Sequence, residues 1–121
     1  MKIIRDYIYV DPEDRGASVA VGNFDGVHLG HQSVIDLARQ TAEAISAPLG
    51  ILTFEPHPRS YFAPQSPAFR LMSSEARATR LAKLNVDLLY ELNFNTSLSS
   101  LTPREFAQNV IADGLGLRHL V

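Results

Sequence analysis

The chain has 121 residues, enough for one compact domain with one core. Its 45% hydrophobic and 20% charged residues are the balance of an ordinary globular domain, and a formal net charge of -2 leaves no basic footprint for a nucleic-acid partner. The absence of cysteine excludes disulfides, thiolate zinc sites and thiol catalysis, and no stretch reads as a signal peptide or approaches the roughly 20 apolar residues of a membrane span, so a soluble, cytoplasmic protein without a membrane partner is expected.

In chain order, Asp11 to Gly16 is a polar turn. Ala17 to Val21 predicts a short buried strand closed by Gly22. From Gly30 the apolar residues Val34, Ile35, Ala38, Ala42 and Ile45 recur at spacings of three and four and predict a helix, which Ser46-Ala47-Pro48 stops. Leu49 to Phe54 is a second strand, followed by a loop containing Pro56, Pro58, Pro64 and Pro67. Ser73 is placed to cap a helix running from Glu75 to Leu84, and Val86 to Leu92 is a third strand. Thr102, Pro103 and Glu105 form a helix start with a capping box. Phe106, Val110 and Ile111 supply its buried stripe, and Gly114 and Gly116 end it. Leu117 to Val121 begins a fourth strand.

Strands alternating with helices predict an α/β domain with a parallel sheet. In such sheets ligands bind outside the carboxyl ends of the strands, so the loops after Val21, Phe54 and Leu92 share the functional edge.

The first of these loops is Gly22-Asn23-Phe24-Asp25-Gly26-Val27-His28-Leu29-Gly30-His31. Its glycines permit unusual backbone angles and close approach of a ligand to the main chain. The helix that follows offers free N–H groups and a positive dipole end, an anion site. His28 and His31, three residues apart at that helix start, can turn both imidazoles to one ligand and stabilise charge developing on phosphate oxygens. The plainer alternatives are a tight turn with two incidental histidines, or a surface pair that collects zinc; two histidines alone leave zinc short of ligands, and no metal site is expected. Asp25 is the nearest carboxylate, either a metal ligand or a brace for the turn.

Thr53-Phe54-Glu55-Pro56-His57-Pro58 follows the second strand. Prolines on both sides of His57 hold the backbone extended, and such a rigid wall suits a flat aromatic ligand. By residue types alone it reads more readily as a proline-stiffened loop carrying an exposed histidine.

The first loop resembles the His-x-Gly-His signature of the nucleotidylyltransferase superfamily, and its ten-residue wording is similar to that of bacterial FAD synthetases, the bifunctional riboflavin kinase/FMN adenylyltransferases. Thr53 to Pro58 resembles the segment bordering the flavin in that family. Leu98 to Phe106 resembles its Leu-Ser/Thr-Pro-Glu-Glu-Phe helix start, with Arg104 in place of a glutamate. The resemblance runs from about Gly16 to Val121. It implies a Rossmann-like sheet and AMP transfer from ATP to FMN with Mg²⁺. The implied roles are catalysis by His28 and His31, ATP binding by Gly22, Asn23, Phe24, Asp25 and Gly30, and flavin binding by Pro56, His57 and Pro58. It also implies that the module is incomplete at its C-terminus, lacking a later glycine-rich loop, a Ser-Ser-Thr-x-x-Arg segment and the riboflavin kinase barrel. A piece of this kind is expected to be a poor catalyst that self-associates. Another nucleotidyltransferase of the superfamily, or a non-catalytic nucleotide- or flavin-binding module, is the alternative. Oligomeric state is not legible.

Overall fold

The computed structural model describes residues 1–27, 29–55 and 72–121. Among them, β1 (Lys2–Ile4), β2 (Ser18–Val21), β3 (Leu49–Glu55), β4 (Leu88–Asn93) and β5 (His119–Leu120) form one sheet in the order β1-β4-β3-β2-β5. Every neighbouring pair is parallel, with Ile51 opposite Ala20 and Leu89. The carboxyl ends of the strands therefore share one edge, as the alternating pattern requires.

Period-two alternation divides the strand residues between two cores. Ala20, Leu49, Ile51 and Leu89 pack against Ile35, Ala38 and Ala42 of α1 (Leu29–Ala44) and Leu81 of α2 (Ser74–Lys83). Val19, Leu52, Leu88, Tyr90 and Leu92 pack on the opposite face against Leu98, Val110 and Leu115. Leu98 lies in the short α3 (Thr96–Ser99), whose first turn is capped by the Asn95 side chain. The helical stripe anticipated from Val34 to Ala42 is the buried face of α1, while Ile45 falls just past its end. Ser73 caps α2 by accepting the Ala76 N–H at 3.1 Å.

Four features depart from the sequence reading. β1 was not anticipated, because three residues interrupted by Arg5-Asp6 carry too short a pattern; it is a largely exposed edge strand held by pairing with β4. The polar turn contains one 3₁₀ turn, Pro12–Asp14, and Asp14 is buried. The capping box at Thr102 is present, and α4 (Pro103–Glu105) passes directly into a π-helix over Phe106–Leu115. This wide winding ends at Gly116, which is left-handed, and Arg15 donates to the carbonyls of Gly114 and Asp113 at 2.7 and 3.1 Å. Finally, the strand expected over Leu117 to Val121 narrows to His119–Leu120. No helix among the described residues is long and apolar enough to cross a membrane.

Candidate active site

The strand order sets where a ligand crevice opens. From β2 the chain builds β3 and β4 to one side, and β5 returns to the other side of β2. The topological switch point therefore lies between β2 and β5, outside the carboxyl end of β2. The loop that leaves β2 there runs from Gly22 to α1.

Two buried apolar side chains pin this loop from below. Phe24 and Val27 are each 1% exposed and belong to the core between the sheet, α1 and α2. Both have positive φ, 52° and 44°, as does Gly26 between them at 84°. Left-handed backbone is costly for a bulky residue, so burial of the two side chains must offset it. The Phe24 carbonyl accepts the Val27 N–H at 3.2 Å and closes the turn. Gly22 makes room for the anchor, since a Cβ there would stand 3.1 Å from the Phe24 ring. Its own N–H donates to the Leu52 carbonyl and extends the β2–β3 pairing by one residue.

The His31 imidazole packs on the Phe24 ring, with centroids 5.1 Å apart and planes tilted by 56°. Leu29 and Gly30, at the start of α1, are exposed. The structure thus gathers Gly22, Asn23, Phe24, Asp25, Gly30 and His31 into one strand-turn-helix unit. It assigns the Phe24 side chain to the core, which leaves only its backbone for a ligand. One Asp25 carboxylate oxygen accepts the Met72 N–H at 2.9 Å and so braces the loop against the approach to α2. His28, Pro56, His57 and Pro58 lie outside the described residues.

A buried charge network lies beside the loop, and sequence reasoning missed it. On the α1/α2 face, β3 presents Leu49, Ile51, Thr53 and Glu55 in succession, and β4 presents Leu89 and Glu91. This face turns polar towards the carboxyl edge. Arg77 meets it from α2, four residues before Leu81 on the same helical stripe. Arg77 and Glu91 are 3% and 5% exposed. The guanidinium donates through Nη2 to Glu91 at 3.1 Å and Glu55 at 3.2 Å, and through Nη1 to the Asn23 carbonyl at 3.1 Å. Arg5, just after β1, reaches the other Glu91 oxygen at 3.3 Å. Thr53 also donates to the Asn23 carbonyl, at 3.5 Å. The available signal was a basic residue on an apolar helical stripe, together with two glutamates on the inward register of neighbouring strands.

Away from this loop, a cavity of about 310 Å³ opens at the carboxyl ends of β1 and β4, lined in part by Arg5, Tyr7, Asn93 and Asn95. Among the described residues, the first loop contributes nothing to its lining. The switch point and the identity of the loop locate the candidate chemistry better than this cavity does. Phe94 and Asn95, near the same edge, have structural roles: Phe94 packs edge-on against Phe54 at 5.7 Å, and Asn95 is the cap of α3.

An open parallel sheet with a glycine-containing strand-turn-helix at its switch point defines a Rossmann-like α/β module of the nucleotidyltransferase kind. The chain belongs to the FAD synthetase family, whose model matches residues 10–121. It is 38% identical over 120 residues to the bifunctional riboflavin kinase/FMN adenylyltransferase of Pseudomonas fluorescens, covering 99% of this chain and 38% of that protein. The Bacillus subtilis protein of the same name is 38% identical over 111 residues, covering 90% of this chain and 35% of its own length. The chain therefore spans well under half the length of these curated relatives. A crystal structure described as a macrolide-efflux protein from Streptococcus pneumoniae superposes with a TM-score of 0.79 at 28% identity, covering 98% of this chain and 46% of that one. Efflux is said of that protein alone.

Proposed function

We propose that this chain carries the FMN adenylyltransferase site of a cytoplasmic flavin-biosynthetic enzyme, joining the AMP of ATP to FMN to give FAD and pyrophosphate. The observation that carries the reading is the Gly22-to-His31 loop at the switch point of a family-matched parallel sheet. An FMN phosphate oxygen attacks the α-phosphorus of ATP; the new P–O bond forms as the bond to the β-phosphate oxygen breaks and pyrophosphate leaves. No protein nucleophile is needed, so catalysis is positioning and charge stabilisation. Backbone of Gly22, Asn23, Phe24 and Gly30 lines the ATP phosphates at the start of α1. His28 and His31 stabilise the transition state, and Pro56, His57 and Pro58 border the flavin. Mg²⁺ enters as MgATP, held mainly by phosphate oxygens, as this hydrated ion usually is. The engagement of Asp25 with Met72 N–H favours the bracing role for that carboxylate over a metal-ligand role.

The test is to supply the purified protein with MgATP and FMN and resolve products by chromatography. FAD and pyrophosphate in equal amounts are expected; a different nucleotide product without FAD refutes the flavin assignment. His28→Ala and His31→Ala should each lower turnover by about 100- to 1000-fold, the usual cost of losing an oxyanion donor, with little change in ATP affinity. Near-normal turnover in both variants would reduce the histidines to packing residues.

A further inference from the structure

We infer that Arg77 is a positioning residue for this reaction, a group that holds the ATP-side loop in fixed relation to the β3 and β4 ends. The inference rests on the adenylyl-transfer reading for its catalytic consequence, and on geometry alone for its structural one. Through one guanidinium, the Asn23 carbonyl, the Glu55 carboxylate and the Glu91 carboxylate are bonded at 3.1, 3.2 and 3.1 Å. Asn23 lies in the loop after β2, Glu55 is the last residue of β3 before Pro56, and Glu91 is in β4. The guanidinium is planar and its donors are fixed in a fork, so the spacing between these acceptors is fixed as well. Arg77 therefore ties the phosphate-side loop to the strand end from which the flavin-side segment departs. Nε, also buried, has no partner among the described residues, so the group is oriented by its two terminal nitrogens.

What Arg77 grips in the loop is a backbone carbonyl. Without it, among the described residues that carbonyl retains the longer bond from Thr53. The loop then loses a restraint eight residues before His31, in the segment that sets the course of α1's first turn. A displacement of about 1 Å at a reacting centre can cost on the order of 100-fold in rate.

The test compares three variants of the full chain. In the first, Arg77→Met is combined with Glu91→Gln, so that one buried charge of each sign is removed together. The second is Arg77→Lys, which keeps the charge and three donors. The control is Ala82→Gly, which weakens the same helix at an exposed position away from the loop. The expected result for the double variant is a kcat lower by about 100-fold with KM for ATP nearly unchanged, the signature of a lost transition-state arrangement. Arg77→Lys should recover about 10-fold of that loss, since the ammonium still serves some of the acceptors. Hydrogen exchange of the Gly22–Val27 amides, which needs no activity, should rise in the double variant and not in the Ala82→Gly control. Equal loop exchange and equal kcat in the Arg77 and Ala82 variants would overturn the inference. A wild-type protein that yields a different nucleotide product without FAD would refute the adenylyl-transfer reading to FMN while the exchange comparison still decides the role of Arg77. Should the double variant fail to fold, Arg77→Lys decides alone: its shorter side chain must raise loop exchange above that of the control, and no rise counts against the inference.

Discussion

Phe24 offers a direct test of the loop's backbone, because alanine and glycine at this position should rank in the reverse of their usual order. The ring is 1% exposed, and its neighbours include Gly22 below and the His31 imidazole at 5.1 Å. Truncating a buried phenylalanine to alanine costs about 3–5 kcal/mol, from lost transfer free energy and the cavity left behind. For a domain of this size that is a fall in Tm of roughly 10–20 °C. At an ordinary position glycine is worse than alanine by about 0.4–1 kcal/mol through chain entropy. Here φ is 52°, and a Cβ in left-handed backbone costs about 1–2 kcal/mol, which glycine does not incur. Phe24→Gly should therefore be more stable than Phe24→Ala by roughly 0.5–1 kcal/mol. Urea unfolding followed by circular dichroism, with equal m-values for the two variants, measures the difference. If alanine proves the more stable, the residue is not left-handed in solution and the account of the pinned turn is wrong. A third variant, Phe24→Leu, keeps an apolar anchor but loses the ring contact to His31, and should separate stability from turnover.

Gly114 has a Tyr7 carbonyl and an Asn109 carbonyl 2.9 and 2.7 Å from where a Cβ would stand, so Gly114→Ala should destabilise by about 1–3 kcal/mol through overpacking, read as a lower urea midpoint. Thr102→Ala removes the capping box at the start of α4 and should cost about 1 kcal/mol in the same assay. Hydrogen bonding from the Thr102 backbone holds the Glu105 carboxyl below its ordinary range, so its contribution is present above the unfolded carboxylate pKa and lost as pH falls through the folded value. Stability of the wild type should accordingly decline more steeply on acidification than that of Glu105→Gln, which removes the titrating carboxyl. Burial pushes the Tyr90 phenol well above its ordinary value near 10, and its hydroxyl donates to the Asp14 carbonyl at 2.6 Å. A raised folded pKa means stability that is complete below pH 10 and lost as pH climbs beyond it. Tyr90→Phe should thus be less stable by about 1 kcal/mol at neutral pH yet show a flatter loss of Tm between pH 10 and 11.5.

What the sequence determined by itself follows from local chemistry. Alternating apolar strands and a 3.6-residue stripe gave the parallel α/β class, because period and side-chain burial are coupled through backbone geometry. The caps at Ser73 and Thr102 are four-residue motifs, and the strand-turn-helix around Gly22 to Gly30 is contiguous in the chain. Other features required distant residues to meet. The strand order β1-β4-β3-β2-β5, which makes the end of β2 a switch point, depends on where β5 and β1 return, and β5 is only two residues long. β1 has too few residues for a pattern and exists through its pairing with β4. The π-winding of Phe106–Leu115 is one backbone turn choosing among closely related hydrogen-bond spacings, and nothing in its apolar stripe distinguishes them. The fate of Phe24 was likewise undecided until packing placed its ring in the core beneath the loop. Above all, Arg77, Glu55, Glu91 and Asn23 are separated by up to 68 positions and each looks like an ordinary residue in isolation. Only the tertiary structure brings one buried cation between two carboxylates and a loop carbonyl, since burying such charges is tolerable only when their partners arrive together.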